Sequence, residues 1–140
     1  MSSLTNLKHL DLSGNSLTGA VPSWLGGMSH LIYLSLGVNE LTGTLPESLP
    51  ESLVNVHFND NRITGTIPAS YGNLANNLTY SSAYSSDYYS LETTTTNGAP
   101  ATALAYLSLQ NNQLSGTLPD SFAKCVALHP LCSSLHRCRG

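Results

Sequence analysis

The 140-residue sequence predicts an α/β-type solenoid, a short right-handed coil with a parallel sheet along its concave side and 3₁₀ turns and loops along its convex side. Three observations predict it. A six-residue word recurs four times, as LTGAVP at 17–22, LTGTLP at 41–46, ITGTIP at 63–68 and LSGTLP at 114–119. Apolar residues precede each copy at fixed offsets. Pro and Gly interrupt every return segment, which argues against long helices there.

The strands come first in each turn. Aligned on Asn15, Asn39, Asn61 and Asn112, the apolar sets are Leu7, Leu10, Leu12 and Leu17, then Leu31, Leu34, Leu36 and Leu41. Leu53, Val56, Phe58 and Ile63 form the third set, and Leu104, Leu107, Leu109 and Leu114 the fourth. The L-x-L step alternates inward and outward, as a short strand does. A single turn cannot bury its leucines, so turns must stack. Each Asn falls where the chain leaves the strand, and its amide is expected to bond backbone groups of its own turn and the next. Gly19, Gly43, Gly65 and Gly116 supply angles that a side chain disfavours, and Pro22, Pro46, Pro68 and Pro119 limit pairing on the return side. All these residues are read as structural.

This L-x-x-L-x-L-x-x-N-x-L spacing resembles the leucine-rich repeat, and the extension x-G-x-(I/L/V)-P resembles its plant-type subclass. The resemblance covers about 110 of the 140 residues. The domain organisation that follows is repeats over 1–74, an insertion over 75–103, a last full repeat over 104–127 and a degenerate tail over 128–140.

The insertion carries Tyr80, Tyr84, Tyr88 and Tyr89 with four consecutive threonines, and no repeat skeleton fits it, so it reads as a loop. Tyr88-Tyr89, the Thr run and Asn97-Gly98 resemble the island of plant receptor-like proteins, although that family usually has Lys-Gly at the last pair. A low-complexity insertion is the bland alternative. The tyrosines offer contact surface at low entropic cost. Asn77-Leu78-Thr79 is the one glycosylation sequon.

In the tail, Phe122 and Cys125 fall where Leu25 and Met28 fall in the first turn, which makes Cys125 a buried thiol. Leu131-Cys132 with Leu135 and Cys138 is similar to the closing segment of plant repeat ectodomains. That similarity implies a capping disulfide between Cys132 and Cys138 in an oxidising compartment. The rival reading is zinc held by His129, Cys132, His136 and Cys138, but the spacing matches no common zinc module. No metal and no cofactor are expected.

Composition excludes several function classes. Only 9% of residues are charged and the formal net charge is −3, so no basic field draws nucleic acid. No run of about 18 apolar residues exists to cross a bilayer. The N-terminal residues lack the pattern of a secretory signal, and Leu4 already sits mid-repeat, so the chain is expected to lack its natural beginning. Four turns barely exceed the three that stability requires, which predicts marginal stability, with a thermal midpoint below about 65 °C.

The outward residues define the expected binding face. One column is His9, Tyr33, Asn55 and Tyr106, provided the insertion loops out cleanly. The second is Asp11, Ser35, His57 and Ser108, and the third Ser13, Gly37, Asn59 and Gln110. Aromatic, amide and hydroxyl groups of this kind hydrogen-bond an extended peptide or stack on sugar rings. Catalysis by Asp11 and His57 is not expected, because two turns place their backbones roughly 10 Å apart.

The resemblance implies a non-catalytic recognition module, like the ectodomains of plant receptor-like proteins and receptor kinases or polygalacturonase-inhibitor-like wall proteins. Its partner would be a peptide, a carbohydrate or a protein, and its place extracellular or at the cell surface. The alternatives are a cytoplasmic scaffold built from the same repeats, or a truncated receptor fragment without independent function.

Overall fold

The computed structural model describes residues 6–75, 104 and 106–124. Four three-residue strands, β1 (His9–Asp11), β3 (Tyr33–Ser35), β5 (Asn55–His57) and β7 (Tyr106–Ser108), form one parallel sheet in the order β1-β3-β5-β7. Register follows the repeat: Leu10 pairs with Leu34, Leu34 with Val56, and Val56 with Leu107. The strands are short because the Asn turn follows two residues after each L-x-L step.

The third and fourth strands are neighbours in the stack although 48 residues separate them in sequence, from His57 to Tyr106. β5 pairs directly with β7, and Leu104 N–H donates to Leu74 O at 3.2 Å.

Leu31, Leu34, Leu53, Val56, Phe58, Ile63 and Leu104 are wholly buried. The first turn is less well covered. Leu10 is only partly buried, and Leu12 and Leu17 remain 39% and 38% exposed, since the described residues place a neighbouring turn on only one side of them.

The Asn amides form a ladder: besides carbonyls of their own turns, Asn39, Asn61 and Asn112 bond the preceding turn, where the next one was expected. Asn39 Oδ1 accepts from Leu17 N–H at 3.0 Å while its Nδ2 donates to Leu12 O at 3.0 Å. Asn61 accepts from Leu41 N–H and donates to Leu36 O, and Asn112 accepts from Ile63 N–H and donates to Phe58 O. Asn15 bonds only Leu12 O and Ser13 O of its own turn. The reason lies in the chain direction. The amide at the strand's exit faces the return segment already laid down in the turn before.

The recurrent word also pairs, where loops alone were expected. β2 (Thr18–Ala20) joins β4 (Glu40–Thr42), a bridge links Thr44 to Thr64, and β6 (Thr64–Gly65) joins β8 (Gln113–Leu114), all in parallel. Gly is required here for two reasons. Gly65 sits at φ +81°, and a Cβ on it would lie 2.9 Å from Thr44 Cγ2. The Thr methyl of one turn therefore rests on the bare Gly of the next.

The convex side carries 3₁₀ helices at Ser23–Gly27 and Asp120–Lys124 and one short α-helix, α1 (Ala69–Ala75). α1 has two turns where loops or 3₁₀ were expected. Its anchor is Tyr71, fully buried, whose hydroxyl donates to Pro46 O at 2.9 Å. Burial pushes that phenol well above its ordinary pKa, so it stays a donor. Phe122 is buried as Leu25 is, as the phase of the repeat requires.

Candidate ligand-binding face

The parallel register sets His9, Tyr33, Asn55 and Tyr106 side by side, and beside them Asp11, Ser35, His57 and Ser108. Four rings from these two columns run continuously across the sheet. His9 and Tyr33 lie 6.3 Å apart between ring centroids, nearly stacked; Tyr33 and His57 are 5.5 Å apart, and His57 and Tyr106 4.9 Å. On the third strand the first column holds Asn55, which has no ring. His57, one column across, fills the gap between the two tyrosines.

Tyr33, Asn55, His57 and Tyr106 are half-buried and His9 is exposed, so the ladder is open to solvent along its edge. Ser35 and Ser108 differ from the expected contact residues. At 5% and 4% exposure they lie beneath their larger neighbours. Ser108 Oγ instead donates to Gln110 Oε1 at 2.6 Å, and Ser35 adds a hydrogen bond to Asp11. Both serines act as supports for the outer groups.

Asp11 is held below its ordinary pKa chiefly by the Ser13 hydroxyl and amide, which donate to Oδ1 at 2.6 and 2.9 Å, with help from Ser35 and from His57. His57 is lowered by burial, and the Asp11 charge opposes that shift. The two groups feel each other's charge across the intervening strand.

The third column packs tightly. A Cβ on Gly37 would lie 2.7 Å from Asn59 Oδ1, so the amide of one strand lies over the glycine of its neighbour. Asn59 Nδ2 donates to Asp60 Oδ2 at 2.7 Å, and Asn111 Nδ2 donates to Asp60 Oδ1 at 2.6 Å. These donors hold the Asp60 carboxyl below its usual range.

Sequence reasoning missed this rim. Gly14, Val38, Asp60 and Asn111 all precede a ladder Asn and all take positive φ, at +65°, +56°, +54° and +56°. Gly, Asp and Asn at one aligned position were the available signal, since these residues tolerate the left-handed region best.

Tyr80, Tyr84, Tyr88 and Tyr89, the sequon at Asn77, and Cys125, His129, Cys132, His136 and Cys138 lie outside the described residues. Among the described residues no cluster of His, Cys, Asp or Glu could hold a metal ion, and no helix is long and apolar enough to cross a membrane.

Family models for the leucine-rich repeat match residues 2–50 and, as single repeats, 52–74 and 103–125. The chain is a plant-type leucine-rich repeat protein. Residues 75–102 stand between the matched stretches. Receptor-like protein 48 of Arabidopsis thaliana is 34% identical to this repeat protein over 64 residues, 46% of the chain and 8% of the relative. The crystal structure of a TDR receptor superposes with a TM-score of 0.67 at 32% identity, covering 89% of the chain and 17% of that receptor. The Arabidopsis receptor kinase HAESA ectodomain, in complex with an IDA peptide hormone, gives 0.63 at 29% identity, covering 87% and 16%. This repeat protein thus spans a small part of the length of each of these relatives.

Proposed function

We propose that this repeat protein is a non-catalytic recognition module that binds an extended peptide segment along its concave face, in the extracellular space or at the cell surface. The observation that carries the reading is the unbroken line of four rings, His9, Tyr33, His57 and Tyr106, across all four strands. Tyr and His rings present apolar faces with polar edges, which suits a chain that alternates side chains and amide bonds. The HAESA ectodomain, a structural neighbour above 25% identity, is itself described with a peptide ligand. Carbohydrate and protein partners use similar surfaces and are the competing outcomes.

The test is panning of random decapeptides on the immobilised chain, in parallel with Tyr33→Ala/Tyr106→Ala. Peptides enriched by the natural chain should be lost from the double variant. Equal enrichment on both would move recognition away from the ladder, to the insertion or the flank. Location is tested by intact mass on native material. A Cys132–Cys138 bridge or a glycan at Asn77 supports the extracellular reading, and three free thiols without glycan support the cytoplasmic scaffold.

A further inference from the structure

The peptide reading leaves the chemistry of the partner open, and the charge distribution narrows it. The described carboxylates on or beside the concave columns are those of Asp11 and Asp60. Asp60 already accepts an amide donor at each oxygen. Asp11 accepts twice at Oδ1 from Ser13 and once more from Ser35, but its carboxylate is exposed on the outermost described strand and has room for a further donor.

Cations are scarce nearby. Lys8 stands just before β1, and Arg62 pairs with Glu40 of β4 at 3.2 Å. His57 is only a weak counter-charge to Asp11, because burial disfavours its charged form more than the Asp11 charge favours it. The face therefore combines stacked rings with a carboxylate that no fixed cation of the described residues neutralises.

One side-chain class satisfies both features. A guanidinium is planar and weakly hydrated, stacks on aromatic faces and pairs with carboxylates. An ammonium is compact and strongly hydrated, and it matches the ring surface less well. Tyr33 sits on the strand beside that of Asp11, one column across. A single arginine can reach both.

We infer that the concave face selects a peptide bearing an arginine whose guanidinium lies against the Tyr33 ring and pairs with Asp11. This rests on the peptide reading above and specifies its ligand. Ser13 and Ser35 act as positioning residues, holding the carboxylate in place.

The test uses the full 140-residue chain, with the ring resonances of Tyr33, His57 and Tyr106 followed by NMR. Three capped probes are compared: N-acetyl-arginine amide, N-acetyl-lysine amide, and N-acetyl-citrulline amide, which keeps the arginine shape without its charge. The arginine probe should shift the Tyr33 ring and bind about fivefold more tightly than citrulline, with lysine behind arginine. Asp11→Asn should bring the arginine-to-citrulline ratio to about one. Equal affinity for arginine and citrulline in the natural chain, or a preference that survives Asp11→Asn, overturns the arginine assignment and leaves concave peptide binding standing. If neither the capped probes nor panned decapeptides move any of the three rings, both readings fall.

Discussion

Replacing Asn61 by alanine should cost this protein more than replacing Asn15, although the two occupy the same place in the repeat. Asn61 is 8% exposed, and its amide accepts from Leu41 N–H at 2.9 Å and donates to Leu36 O, Phe58 O and Asn59 O at 3.0, 3.2 and 3.1 Å. Asn59 O keeps a second partner, because Val38 N–H donates to it at 2.9 Å. Leu36 O likewise keeps Asn39 Nδ2 at 3.1 Å and Phe58 O keeps Asn112 Nδ2 at 2.8 Å, so truncation strands chiefly the Leu41 amide, inside a stack that admits little water. A buried donor left without a partner costs about 1–3 kcal/mol, and a loss toward the upper end of that range is expected because the three carbonyls each lose one donor as well. Asn15 is exposed and bonds only two carbonyls of its own turn, which water can reach, so Asn15→Ala should cost about 0.5–1 kcal/mol. Asn39 and Asn112 should fall between. Urea unfolding followed by circular dichroism measures the series. Equal losses for Asn15→Ala and Asn61→Ala would show that the amides do not couple turns, and the ladder argument would fail.

Val38 is a β-branched residue at φ +56° with 54% exposure, so Val38→Asn should raise stability by about 1 kcal/mol in the same assay, by relieving left-handed strain at little loss of burial. Gly65→Ala should destabilise by more than Gly14→Ala, because both sit at positive φ but only Gly65 would meet a methyl, Thr44 Cγ2. Adding Thr44→Ser to Gly65→Ala should recover the difference, and a double-mutant cycle reads that recovery. His57 should titrate below 6.5 by NMR, with burial as the main cause. Its folded value lies under its unfolded one, so stability is full above about pH 6.5 and declines as pH falls through the folded value. His57→Gln should flatten that slope.

The fold was legible because a solenoid repeats its steric needs. Leu34, Val56 and Leu107 could be assigned to one interior from spacing alone, and the tight register confirms the arithmetic. The direction of the Asn ladder was not legible. A periodic sequence looks the same read toward the preceding or the following turn, and only the path of the backbone decides which return segment Asn39 faces. The pairing of the LTG segments was hidden for a related reason. Gly and Pro signal irregular backbone, yet the bare Gly65 is what lets Thr44 and Thr64 approach closely enough to bridge.

The candidate face divides along the same line. Strand alternation identified its columns, but alternation carries no information on depth. Ser35 and Ser108 point outward and are nevertheless covered, because a small side chain between large ones lies at the bottom of the row. Nor could the columns show that His57 would cross between Tyr33 and Tyr106. That crossing depends on Asn55, the one residue of the first column without a ring. Had Asn55 been aromatic, the line of rings would have run straight along one column and left His57 to stand apart. Asn55→Tyr should therefore displace His57 from between the tyrosines while leaving the leucine core intact. His57 would then titrate closer to its ordinary value as burial is relieved, and the ring resonances of Tyr33 and Tyr106 would shift with it. An unchanged His57 titration in Asn55→Tyr would mean that the ring is held by something other than the gap it fills.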